Sequence, residues 1–266
     1  MKPCLALVAA VIPALCAASC AGPLVRPAVA PAREAREAVL ILPGFGYGRD
    51  QGKAFKEVSA AASRDGVDLY VAPFLTRSGL DDSRARLERF IREERLERYE
   101  RLHVFAFIAG AWTVNPLLDR MALPNLTSVI YDRSPFQERA PKIAAARLRK
   151  RAWLRYGRTI FDIAHTPYPA IAGRTVNVAL LVESAPTPFI LSHAKDADAY
   201  GPFAFDCDGL GQPYDDCAYL PMNHADLYTR FAEVWPEVHA FIRTGRFSAA
   251  ADRSTPSNVV LTEVRR

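Results

Sequence analysis

The sequence predicts an α/β protein built on a mostly parallel sheet with helices on both faces. Short runs of consecutive apolar residues recur along the chain, stretches of helical periodicity separate them, and turns containing Gly or Pro close several of them. A strand covered on both faces has no polar side to alternate with, so unbroken apolar runs mark a parallel sheet rather than a one-sided antiparallel one. Alternating strands and helices also place function at the carboxyl ends of the strands. At 266 residues, 50% hydrophobic and 24% charged, the chain has the size and balance of one large domain with its own core.

Taken in order, Ala38-Val39-Leu40-Ile41-Leu42 is the first buried strand, closed by Pro43-Gly44-Phe45-Gly46. A helix is expected over about 50–64, then a second strand at Val67-Asp68-Leu69-Tyr70-Val71-Ala72. Residues 81–98 predict a helix that buries Leu87, Phe90 and Ile91 and carries the i,i+4 pairs Glu88/Arg92 and Glu94/Arg98 on a solvated face. The next strand covers 102–108 and leads through small residues into a helix over about 111–121. Leu126-Thr127-Ser128-Val129-Ile130-Tyr131 follows as a strand. After a long helical insertion, residues 176–182 form the last clear strand, and a helix over about 224–243 closes the domain.

The amino terminus has another character. Lys2 precedes the apolar stretch 5–15, which is too short to span a bilayer and fits a secretory signal over residues 1–19. It ends in Ala17-Ala18-Ser19-Cys20, which resembles a bacterial lipobox and makes Cys20 the lipidation site. Plain signal cleavage with release to the periplasm or outside is the alternative. The resemblance implies a cell-envelope protein, on the periplasmic face of the outer membrane if the source is Gram-negative. Residues 20–37, with Pro23, Pro27 and Pro31, are expected to be an extended tether, 38–246 the domain, and 247–266 a flexible tail. In an exported body only Cys207 and Cys217 remain, and they are expected to pair; closing a loop of that length stabilises by about 2–3 kcal/mol. The net charge of +5 is spread along the chain, too weak and diffuse for a nucleic-acid partner.

Residues Leu102-His103-Val104-Phe105-Ala106-Phe107-Ile108-Ala109-Gly110-Ala111 resemble the G-x-S-x-G nucleophile elbow of the α/β-hydrolase family. In that register Ala106 and Gly110 take the glycine positions and Ile108 takes the serine. A shift of one or two residues brings Phe107, Ala109 or Gly110 there, and none of these is a nucleophile. By order of elements the resemblance spans residues 38–245 and implies a lipase- or esterase-like fold. Pro43-Gly44-Phe45-Gly46 resembles the loop that supplies half of the family's oxyanion hole, and the residue after the nucleophile, Ala109, would supply the rest. Gly44, Phe45, Ile108 and Ala109 thus mark the expected cleft. Leu220-Pro221-Met222-Asn223-His224 resembles the catalytic His loop, with His224 as general base and then acid; a plain helix cap by Asn223 or His224 is the other reading.

For the acid, Asp208-Gly209 resembles the Asp-Gly that precedes the His in some lipases, which makes Asp208 the first candidate, whereas Glu183 sits early after its strand. Asp206, Asp215, Asp216 and Asp226 crowd the same region without the spacing of a calcium loop, so neither metal nor cofactor is expected. Ser134 ends a strand and is the hydroxyl best placed to stand in for the missing serine; Thr113 lies a helical turn beyond the elbow and points away. Residues 138–172 fall where the family builds a lid, and eight Arg and Lys side chains between 139 and 158 alternate with Leu148, Trp153, Leu154 and Tyr156. That pattern predicts a solvated helix with an aromatic edge on the core, or a surface for anionic headgroups.

An isoleucine cannot attack a carbonyl. The expectation is an exported, lipid-anchored hydrolase-like protein with a degenerate active site that binds a hydrophobic small molecule or an envelope partner. The rivals are an esterase- or lipase-like hydrolase using Ser134 with His224, and a scaffold whose basic lid engages membrane or cell-wall polymer.

Overall fold

The computed structural model describes residues 22–27, 36–132, 139–171, 176–201, 205–208 and 211–263. The expected signal, Cys20 and Ser134 lie outside these residues. Six strands form one parallel sheet in the order β2-β1-β3-β4-β5-β6: β1 Glu37–Leu42, β2 Val67–Val71, β3 Arg101–Ala106, β4 Leu126–Asp132, β5 Asn177–Ala185 and β6 Asp216–Asn223. The helices are α1 Arg49–Arg64, α2 Leu80–Glu93, α3 Ile108–Leu118, α4 Ala140–Arg147, α5 Arg149–Tyr156, α6 Arg158–His165, α7 Pro188–Ser192, α8 Ala194–Asp198, α9 His224–Thr229 and α10 Phe231–Thr244.

Successive side chains of each strand point to opposite faces, so the sheet separates two cores. Leu40, Val104, Val129 and Leu180 pack with Leu87 of α2 and Leu117 of α3. Val39, Ile41, Phe105 and Leu181 pack on the other face with Phe55 of α1 and Val238 of α10. From β1 the chain steps outward to β2 and then crosses back to β3 on the other side of β1. The loops after β1 and β3 therefore diverge and leave a crevice at the carboxyl edge, the usual place for a ligand in an open α/β sheet.

Several expectations need correction. The sheet has one more strand than predicted, because β6 carries Pro221, which has no N–H to donate. β6 is an edge strand, where a missing donor is tolerated. The helix predicted over 81–98 ends at Glu93, and Arg95 (φ 52°) turns the chain into a 3-10 turn. The closing helix is two helices joined at Arg230.

The described parts of both flanks are docked on the sheet edges. Val25 is buried and forms an antiparallel bridge with Val71, the Tyr47 hydroxyl donates to the Pro23 carbonyl at 2.6 Å, and Arg26 pairs with Glu94 at 2.5 Å. Residues 22–27 thus cover the exposed edge of β2 rather than serving as free tether. After Phe247, Asp252 bridges Tyr219, Arg253 pairs with Asp216 at 2.9 Å, and Leu261 is buried with its N–H on Asp198 at 3.0 Å. The expected flexible tail is docked on β6 and α8 as far as residue 263, because it caps the sheet's other edge. Cys207 and Cys217 form the expected disulfide.

At the amino edge of the sheet, fully buried His103 shares a hydrogen bond between Nδ1 and Ser128 Oγ (2.7 Å) and approaches Glu37 at 3.6 Å. Burial depresses its pKa to about 4, against the partial pull of Glu37. Glu37 also pairs with Arg101 and Arg243, which makes this cluster a structural clamp far from the crevice.

Candidate active site

β3 ends at Ala106, Phe107 is extended (φ −72°, ψ 171°), and α3 starts at Ile108. A Cβ on Gly110 would stand 2.7 Å from the Leu42 carbonyl oxygen and 2.8 Å from the Leu42 Cβ, so glycine is what lets α3 lie this close to β1. The turn itself is relaxed: among the described residues, Arg95 is the one non-glycine with positive φ. Ile108, in the first turn of α3, carries neither hydroxyl nor thiol.

Across the crevice, Asn223 ends β6 and caps α9, its Oδ1 accepting from the N–H groups of Ala225 (2.9 Å) and Asp226 (3.1 Å). The cap is therefore Asn223, and His224 is turned inward. Its Nδ1 lies 2.9 Å from Asp132 Oδ2 and 3.2 Å from Glu183 Oε1, both carboxylates being fully buried and the imidazole 11% exposed. Asp132 ends β4 and Glu183 lies in β5, next to it in the sheet. Asp208, the first candidate from the sequence, is elsewhere: its carboxylate accepts the Tyr214 hydroxyl at 2.5 Å in an exposed loop. The acids on the histidine are Asp132 and Glu183. Neither Asp132 nor Glu183 carries a local signal of this pairing, which the adjacency of β4 and β5 creates.

Burial works against a charged imidazole, but the two carboxylates outweigh it and raise the His224 pKa to about 10. The two carboxylates thus favour the protonated form of the ring. Donor atoms of Asp132, Glu183 and His224 lie within 4.8 Å of one another, a grouping that metals can use. Both carboxylates also approach the same ring nitrogen, and the hydrogen bond of Nδ1 is shared with Glu183 Oε1.

A second residue the sequence reading missed is Tyr228 on α9. Its ring stacks on Phe107 (centroids 4.3 Å apart, interplanar angle 7°), and its hydroxyl oxygen accepts the Gly44 N–H at 2.8 Å. One amide of the oxyanion-like loop is therefore already engaged. Thr113 donates to the Ala109 carbonyl at 2.7 Å, within α3. Phe45 packs on Tyr156 of α5 (4.7 Å), joining the loop to the lid helices. Between them lies a cleft of about 390 Å³ whose wall includes Phe45, Ile108, His224, Thr187 and Phe189, with Arg151 and Arg155 of α5 also lining it.

The overall architecture matches solved hydrolases. A Bacillus licheniformis lipase, BlEst2 in its mature form, superposes with a TM-score of 0.58 at 12% identity, over 85% of this chain and 98% of that one. A thermophilic esterase from Thermogutta terrifontis superposes with a TM-score of 0.54 at 11% identity, over 84% and 99%. No protein-family model matches the sequence, and no curated protein matches it either. The chain has an α/β-hydrolase-like fold.

Proposed function

We propose that this chain is a non-hydrolytic α/β-hydrolase-like protein whose cleft holds the acyl chain of a hydrophobic ligand, exported and lipid-anchored through Cys20 in a cell envelope. The observation that carries the reading is Ile108: it lies in the cleft wall with His224, where a hydrolase keeps its nucleophile. A branched alkyl group there removes the attacking atom and supplies apolar contact instead. Support comes from His224, whose Nδ1 two buried carboxylates approach at 2.9 and 3.2 Å, which favours its protonated form, and from Tyr228, which occupies the Gly44 amide.

Binding of a fluorescent long-chain fatty acid to the purified protein tests this. Wild type should saturate at one site. Ile108→Asn places an amide against the chain and should weaken binding by about 10- to 100-fold, since such a change costs about 2 kcal/mol, with unchanged circular dichroism. No acyl binding by wild type, or equal binding by the folded variant, would refute the reading.

A further inference from the structure

We propose that the outer face of α5 docks on an anionic phospholipid bilayer, with Trp153 and Leu154 entering the headgroup region. Trp153, with its ring beside Phe161, is 54% exposed and Leu154 is 73% exposed, whereas the aromatic of this helix that packs inward is Tyr156, on Phe45. Both sit on one eight-residue helix together with Arg149, Lys150, Arg151 and Arg155, all of them solvent-exposed. No acidic residue occurs between 139 and 161; Arg147 and Arg158 pair with Asp196 and Asp162 outside the stretch. An aromatic and a leucine flanked by cations fit the boundary between phosphate headgroups and acyl chains.

The helix cannot simply fold its apolar side inward. α6 fastens the lid to the body: the Arg158 N–H donates to the Arg77 carbonyl (2.8 Å), and the Asp162 carboxylate accepts the Leu80 N–H at the start of α2 (3.0 Å). Among the described residues, Ala152 is the side chain of α5 that is buried.

The placement of Gly22 points the same way. Gly22 lies against Pro43, Gly44 and Phe74, at the carboxyl edge where Phe45 meets Tyr156 of α5. The described chain therefore starts on the edge that carries α5, two residues after Cys20. In that one respect the inference rests on the lipid-anchor reading: an anchored Cys20 and α5 would address a single bilayer. Arg151 and Arg155 line the cleft as well, so docking would bring its mouth to the acyl chains.

Trp112 and Trp235 are buried, which leaves Trp153 as the surface fluorophore. Purified mature protein should be mixed with vesicles of phosphatidylglycerol or phosphatidylcholine brominated near the headgroup end of the acyl chains. The expected result is at least twofold quenching of the Trp153 signal on phosphatidylglycerol and much less on phosphatidylcholine. The signal should vanish in Trp153→Phe, and vesicle affinity should fall about fivefold for each of Arg149→Gln and Lys150→Gln, as expected per cation at an anionic surface. Absence of Trp153 quenching on phosphatidylglycerol, or equal quenching on both lipids, would overturn the proposal. Co-flotation with neutral vesicles tests the Cys20 anchor separately, because an anchor holds the protein there whether or not Trp153 is quenched.

Discussion

His224→Ala is expected to destabilise the protein by about 3–5 kcal/mol, the usual cost of removing one partner from a buried ion pair. Asp132 and Glu183 are both fully buried, and the imidazolium is the cation between them. Its removal leaves two carboxylates facing each other in a low-dielectric site, and for a chain of this length the melting temperature should fall on the order of 10 °C. The wild-type pH profile carries the same signature. The folded pKa of His224, about 10, lies above the ordinary 6.5, so its contribution is fully present below pH 6.5 and is lost as pH rises towards 10. His103 has the opposite sign: its folded pKa of about 4 makes stability decline as pH falls from 6.5 towards 4. Thermal melts between pH 4 and 10 should therefore show a maximum near neutrality, and the alkaline decline should flatten in His224→Ala. A variant as stable as wild type at pH 7 would mean that His224 is a neutral side chain with no charge role.

Gly157→Ala should unseat the lid. Gly157 joins α5 to α6 at φ 64° and ψ −149°, a conformation that side chains rarely adopt, and an added Cβ would collide with the Arg77 carbonyl oxygen. Strain and clash together should cost about 3 kcal/mol. The damage should fall on the Arg158–Arg77 and Asp162–Leu80 hydrogen bonds, so limited trypsinolysis should cut at Arg149–Arg155 much faster than in wild type. Unchanged cleavage with unchanged melting temperature would show that α5 does not depend on this junction.

The central strands were legible because burial on both faces leaves continuous apolar runs, as in Val39-Leu40-Ile41-Leu42. β6 was not, because Pro221 and Asn223 give it the composition of a loop, and only its edge position makes it a strand. Half of the site could be read locally. Ile108 follows from one strand-to-helix turn, and His224 from the sequence before the closing helices. Its acids could not, since proximity comes from the sheet: β5 runs past Val182 to Ala185 and carries Glu183 beside the end of β4, where Asp132 waits. The Asp-Gly pair at 208–209 drew attention by local resemblance, while the loop that contains it turns Asp208 towards Tyr214. Tyr228 was invisible for a like reason, as its partner Gly44 lies 184 residues away.

The most direct test of the central claim is fluorophosphonate labelling of the folded mature protein, with peptide mapping and an Ile108→Ser comparison. The account predicts no adduct on wild type at neutral pH, since Ile108 presents an alkyl side chain to the cleft and no attacking atom. A stoichiometric adduct on Ser134 or any other hydroxyl, abolished by replacing His224, would contradict it and establish a working hydrolase.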